Sequence, residues 1–366
     1  MMRNETIRFI MLRNGSEYGF LYPAKNTAPS IRSNSGGEIK TSLQGEFLPM
    51  AYDLNGKPIE VDWLNDEIKP VLVLDGVEHS LGIFIPTTRR EGYGRDGRSV
   101  QIEAYDRCWR VQSTLKENIA YFPAGMKYVD AVSALLAEAG IESIAITDTD
   151  STLQEAREDW DIGTSNLTIA NQQLSEINYK QVWFDSTGTA MIQPESNPTA
   201  DNIQHILTEK KPDPRNPKEI GLVSVLPEVS RSTDIFSQPN VFICICSNAD
   251  KSEGLVAMAE NANPLSPLSI QSRGRRIASV EQVDNIASQE ELEMYANRKA
   301  SRSLMTGEIV EAKTLLQPGF GTGDVTGLQY DDIMSVCVER EWSMELKPGG
   351  LMSHTLEKVV LNIESE

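Results

Sequence analysis

Along residues 1 to 112 the apolar positions come in short runs, Ile7 to Leu12, Val71 to Leu74, Leu81 to Ile85 and Val100 to Ala104. Turn-forming clusters at Asn14-Gly15, Ser35-Gly36-Gly37, Asn55-Gly56 and Asp75-Gly76 separate them. Runs of this length between such turns predict strands, and Asp75-Gly76, between KPVLVL and VEHSLGIFI, is the sharpest hairpin signal. In SVQIEAYD, Val100, Ile102 and Ala104 alternate with polar Gln101 and Glu103, the period of a strand with one face in a core. Several short strands in series point to a barrel or a sandwich.

The period then changes. In GMKYVDAVSALLAEAGI the apolar positions Val129, Val132, Leu135, Leu136 and Ala139 follow helical spacing, and Gly140 stands where a helix C-terminus favours glycine. After the acidic stretch TDTDSTLQEAREDWDIG, the positions Leu167, Ala170, Leu174 and Ile177 mark a second helix. Strand-like QVWFD, a Ser186-Thr187-Gly188 turn and TAMIQP complete an α/β unit. Five prolines, Pro194, Pro198, Pro212, Pro214 and Pro217, then interrupt all periodicity and mark a seam.

Beyond the seam, EIGLVSVLPEVSRS and NVFICICSNAD read as strands. Val241, Ile243 and Ile245 lie on one face of the latter, Phe242, Cys244 and Cys246 on the other, and two apolar faces predict a central strand. Ser288 and Glu291 form a capping box ahead of Leu292, Tyr295, Ala296 and Lys299, a third helix. Strands return around glycine-rich turns at 319–327 and 349–350. The chain therefore reads as α+β, with domains at residues 1–112, 113–197 and 198–366.

Charge narrows the function. The 366 residues hold 34 Lys and Arg against 53 Asp and Glu, a net charge of −19, and such a balance argues against tight binding of a nucleic acid. With 40% apolar residues the chain can bury real cores. The charges at Arg3, Glu5, Arg8 and Arg13 leave no apolar run long enough for a signal segment or a membrane span. Four scattered cysteines, Cys108, Cys244, Cys246 and Cys337, suit a reduced cytosolic product better than a disulfide scaffold.

Each candidate for chemistry has a plainer reading. Gly92-Tyr93-Gly94-Arg95-Asp96-Gly97 matches a dinucleotide-binding pattern, but a strand follows it where that pattern needs a helix N-terminus, so it is read as a hairpin loop. The loop's Arg89, Arg90, Arg95 and Arg98, and the cluster Arg273, Arg275 and Arg276, could meet phosphates, yet docking onto an acidic protein suits the net charge better. Cys244 and Cys246 lack the further ligands that tetrahedral zinc requires and read as small buried thiols. With three histidines, His79, His205 and His354, and no G-x-S-x-G, no nucleophile site emerges. The pairs Glu155 with Glu158 and Asp159 with Asp161 could do acid–base work only in a pocket, and their polar stretch reads as a solvated face. No catalytic, cofactor-binding or metal-ligating residue is assigned.

One combination is more specific. AYDRCWRVQSTL followed by YFPAGMKYVDAVSALLAEAGI, then DIGTSNLTIANQQLSEINYKQVWFDSTGTAMIQP, DNIASQEELEMYANRKA, and GDVTGLQY with GGLMSHTLEKV, resembles in order the tail or baseplate hub proteins of bacteriophages and related injection machines, a group that includes late control protein D. The matching features are a strand ending in Tyr-Asp, an aromatic before a Gly-Met-Lys-Tyr turn, a helix closing on Gly-Ile, and a Tyr-x-x-x-Trp-Phe-Asp-x-x-Gly hairpin.

The resemblance implies two tube-like antiparallel β-barrel domains with an α/β domain between them. It implies a homotrimer that adapts a six-fold tail tube to a three-fold spike and leaves a passage for DNA or effector. Implied partners are the tail tube or distal tail protein, a spike or tip protein and baseplate proteins, with DNA only in transit. The expected location is the virion tail, after synthesis in the host cytoplasm. Fused hub-spike proteins carry a spike or wall-cutting region that is not seen here by residue 366, so piercing is expected to sit on another chain. The competing reading is an enzyme, a cell-wall or glycan hydrolase with a carboxylate pair.

Overall fold

In the computed structural model, which describes residues 3–94, 97–196, 198–211, 221–233, 238–246, 254–283, 289–302, 305–331 and 333–359, Asp75 and Gly76 turn the chain with φ of 48° and 89°. Both values lie in the left-handed region that a two-residue hairpin turn requires. The described residues fall into two compact units. The first runs to residue 196 and takes in 315–323 and 341–353, and the second holds the rest.

The strands of the first unit are β1 (Glu5–Arg13), β2 (Ser16–Leu21), β3 (Ser30–Asn34), β4 (Thr41–Phe47), β5 (Ala51–Tyr52), β6 (Pro58–Ile59), β7 (Glu67–Leu74), β8 (Val77–Ser80), β9 (Phe84–Gly94) and β10 (Gly97–Asp106). All their pairings are antiparallel, in the order β2–β1–β7–β9–β10–β4–β3. The segment after β2 meets the end of β4, with Ala24 donating to the Glu46 carbonyl and Leu48 to the Tyr22 carbonyl, both at 2.8 Å. Alternation serves two cores along β1. Ile10 and Leu12 pack with Val71 and Ile83, whereas the Phe9 ring meets Phe47 edge-on at 5.1 Å. Of the expected run Leu81 to Ile85, only Phe84 and Ile85 are in a strand.

The rest of this unit is α1 (Cys108–Ser113), α2 (Tyr128–Glu138), β11 (Ile144–Ile146), α3 (Asn166–Glu176), β12 (Trp183–Phe184) and β13 (Ala190–Ile192). Helix α1 carries no periodicity long enough to be read from sequence. β13 pairs with β11 in parallel and β12 antiparallel. Helix α2 ends as its glycine suggests. Gly140 takes φ 76°, and Ile141 N–H returns to the Leu136 carbonyl at 3.0 Å, closing the last turn. Val129, Val132, Leu135 and Leu136 of α2 and Leu167, Ala170 and Leu174 of α3 share one buried core with Val182, Phe184 and Ile192.

The second unit holds β14 (His205–Thr208), β15 (Leu222–Ser224), β16 (Ser230–Thr233), β17 (Val241–Cys246), β18 (Leu255–Glu260), α4 (Ile270–Arg273), β19 (Ala278–Gln282), α5 (Gln289–Arg302), β20 (Met305–Leu315), β21 (Val325–Tyr330), β22 (Ile333–Glu345) and β23 (Leu351–Val359). The last residues of β20 and β22 and the first of β23 count with the first unit, where Glu341–Glu345 pair with β3. β14 lies parallel to both β15 and β21. β17 is central in a sheet of three, between antiparallel β18 and parallel β19, as its two apolar faces predict. Pro212, Pro214, Pro217 and Ser288 of the proposed cap lie outside the described residues, as do Arg95 and Asp96.

The chain is thus mostly β with a few helices. Leu135 and Leu136 are almost completely buried, so truncating either to alanine is expected to cost about 2–5 kcal/mol. Urea unfolding of each variant against the parent checks this, and unchanged stability would place the residues outside a core.

Candidate functional site

The motif AYDRCWRV that carries the family resemblance holds a buried knot. The Asp106 carboxylate, at the end of β10, accepts from the Thr41 backbone N–H at 3.0 Å, the Thr41 hydroxyl at 2.6 Å and the Cys108 N–H at 2.9 Å. Burial pushes its carboxyl above the usual range, against those three donors. Next to it, Arg107 grips buried Glu67 through Nε at 3.1 Å and Nη2 at 2.7 Å, and its Nη1 reaches the Gly188 carbonyl in the turn before β13. These residues join strands, helix and hairpin.

The most reactive-looking arrangement is in the second unit. Thr314 Oγ1 lies 3.1 Å from His354 Nε2, and His354 Nδ1 lies 3.0 Å from Glu339 Oε2. That is the order of a nucleophile, a base and its orienting acid. All three are at most 1% exposed, so no substrate reaches the hydroxyl. Burial raises the Glu339 carboxyl, with the His354 hydrogen bond opposing it. His205, at 3.1 Å from Asp324, is the second histidine–carboxylate pair of this unit. The sequence did hold a signal. His354 shares strand parity with buried Met352 and Leu356, which marks an inward-facing imidazole.

In the first unit, an open groove is lined by Arg13, Glu60, Asp62, Trp63, Leu64 and Thr88, among others. Asp66, buried, is bonded to two of these lining residues, Arg13 and Asp62. Its carboxylate takes both Arg13 bonds at 2.8 Å, the Tyr18 hydroxyl at 2.6 Å and the Asp62 N–H at 2.8 Å. Burial works to raise this carboxyl, but the donors outweigh it and hold it below the usual range. Tyr18 is raised, by burial first and then by its bond to Asp66. With its oxygens occupied, Asp66 offers no base.

Asp159 is paired with Arg157, which also binds Glu176, while Glu155, Glu158 and Asp161 are exposed, as a solvated face requires. Arg89 and Arg98 both pair with Glu91, Arg276 pairs with Glu260, and Arg273 donates to the Gln238 carbonyl; Arg90 and Arg275 are exposed. Cys244 and Cys246 are buried with Ala257 and Ala259 under Leu292 and Ala296 of α5, and burial raises the Cys244 thiol. His79 pairs across to Leu72 in the β7–β8 hairpin. Among the described residues no three His, Cys, Asp or Glu side chains converge as a metal site, and no helix is long and apolar enough to cross a membrane.

No family model and no curated protein matches the chain. Solved structures do. A tail protein from Neisseria meningitidis aligns with a TM-score of 0.65 and 11% identity over 96% of each chain. The 43 kDa tail protein of prophage MuSo2 from Shewanella oneidensis gives 0.65 and 10%, over 96% of this chain and 98% of that one. A chain of the Francisella PdpA–VgrG complex gives 0.56 and 9%, over 98% of this chain and 53% of the other. At these identities the likeness is one of fold, and it agrees with the hub resemblance seen in the sequence.

Asp66 yields a pH test. Its folded-state pKa is depressed, so its contribution is complete above the ordinary aspartate value of 3.8 and is lost as pH falls through the lower folded value. Asp66→Asn is expected to cost about 1–3 kcal/mol at neutral pH, with the gap to the parent closing below pH 3.8. Chemical denaturation across that range measures it.

Proposed function

We propose that this chain is a structural hub at the distal end of a phage tail or a related injection machine. Three copies form a ring that adapts a six-fold tube to a three-fold spike or tip, with a passage for DNA or effector. The observation that carries the proposal is the extent of the likeness to two tail proteins, which runs through both units and over nearly the whole of each chain. The Francisella match, a chain of a multi-protein complex, supports neighbours of the spike and baseplate kind, with a tail tube or distal tail protein on the opposite side.

The domain reading is a tube-like barrel at 1–112, an α/β domain at 113–197 and a second tube-like barrel at 198–366. The backbone bonds that bring the segment after β2 back to the end of β4 support the first barrel, because they link the two sides of the strand order through Pro23. Two barrels per chain and three chains give six positions, the number that a six-fold tube presents. A non-enzymatic role is supported by the solvated carboxylates and by the burial of the Thr314–His354–Glu339 chain.

Three-fold symmetry at the tail end, with three copies per particle, is the expected result of reconstructing the assembled tail. Six copies around the ring would overturn the proposal. A passage for DNA also demands weak adhesion. At net −19, and with Arg89, Arg98 and Arg276 already paired to acids, binding to duplex DNA at physiological salt is expected to be undetectable by fluorescence anisotropy. A micromolar complex that weakens steeply with salt would instead make the basic loops a nucleic-acid site.

A further inference from the structure

The sheet β18–β17–β19 is covered on one face by α5, and on the other, beyond buried Val241, it is open among the described residues. The open face carries Ile243 and Ile245 of β17, Val256 and Met258 of β18, and Val280 of β19. Register sets them side by side, Ile243 opposite both Met258 and Val280, Ile245 opposite Val256. Val256, Met258 and Val280 are each more than half exposed. A sheet face left to water normally alternates to polar side chains, and between Glu260 at one end and Gln282 at the other this one does not. Arg276 borders it, 3.6 Å from the Met258 sulfur and paired with Glu260, and exposed Arg275 precedes it. On an acidic chain this is an apolar patch bordered by two arginines, Arg275 and Arg276, against one glutamate, Glu260.

A second patch has the opposite edge. Residues 114–122 run antiparallel to 157–165, with bridges at Leu115–Ser165 and Phe122–Arg157 and with Gly163 donating to the Lys116 carbonyl at 2.8 Å. Ala120 and Phe122 face inward. Leu115, Ile119 and Tyr121 alternate outward, and with Ile162 each is more than half exposed. Exposed Glu117, Glu158 and Asp161 fringe them.

We propose that these patches are the two sides of one contact between copies of this chain: the arginine-edged sheet face of one copy seats on the acid-edged ladder of the next. Apolar area supplies the affinity and the opposite charges set the register. Because the two sides differ, the contact is head-to-tail, the kind that closes into a ring when the rotation permits. The proposal rests on the hub reading only for the number of copies.

Sedimentation of the full chain over a concentration and salt series tests it. The parent is expected to self-associate, and Val256→Lys with Met258→Lys is expected to abolish this. Arg275→Glu with Arg276→Glu, and separately Glu158→Lys with Asp161→Lys, should each weaken association about tenfold or more. Combining the two reversals should restore it, since the signs are exchanged. Thermal melting of every variant separates lost contact from lost fold, and Arg276→Gln replaces any reversal that melts below the parent. A parent monomeric at every concentration, or a combined variant no better than either reversal alone, overturns the proposal. Neither result touches the hub reading, which is scored on the symmetry of the assembled tail.

Discussion

The first unit depends on one buried carboxylate. Asp106 ends β10 and accepts three hydrogen bonds, two from Thr41 at the start of β4 and one from the first turn of α1. Burying a carboxyl is costly unless donors surround it, so the geometry of these three groups is tightly specified. The β strands therefore hand over to the helices at a fixed angle. Arg107, the next residue, extends the constraint through Glu67 to the Gly188 turn. The Tyr-Asp strand ending is one of the features that carry the resemblance to tail hubs. It is a joint between elements.

Much of the architecture could be read from spacing. The Asp75-Gly76 hairpin, the two helices ending near Gly140 and Ile177, the central position of β17 and the helix containing Leu292 and Ala296 all appear where periodicity puts them. These signals are local, set by side-chain alternation or helical repeat within one element. Helix α1 escaped because six residues span fewer than two turns. The Thr314–His354–Glu339 chain escaped because its members come from three strands, and only parity on β23 hints at it.

The face of β17 that carries Ile243 and Ile245 shows a different limit. Alternation tells that both sides of a strand are apolar, and the sequence reading turned this into a central strand, which it is. It does not tell what covers each side. One is closed by α5 and the other has no cover among the described residues. A strand that packs against its own helix and one that packs against another molecule carry the same pattern, because the hydrophobic effect does not distinguish the source of the covering surface.

All four cysteines are free and buried. Burial raises the thiols of Cys108, Cys244 and Cys337, the last to about 12, which suppresses the thiolate that oxidants and disulfides attack. Disulfide cross-links through these three thiols are therefore disfavoured. Where the four cysteine sulfurs sit, inside the cores, is thus what hinders neighbouring copies of the chain from linking covalently.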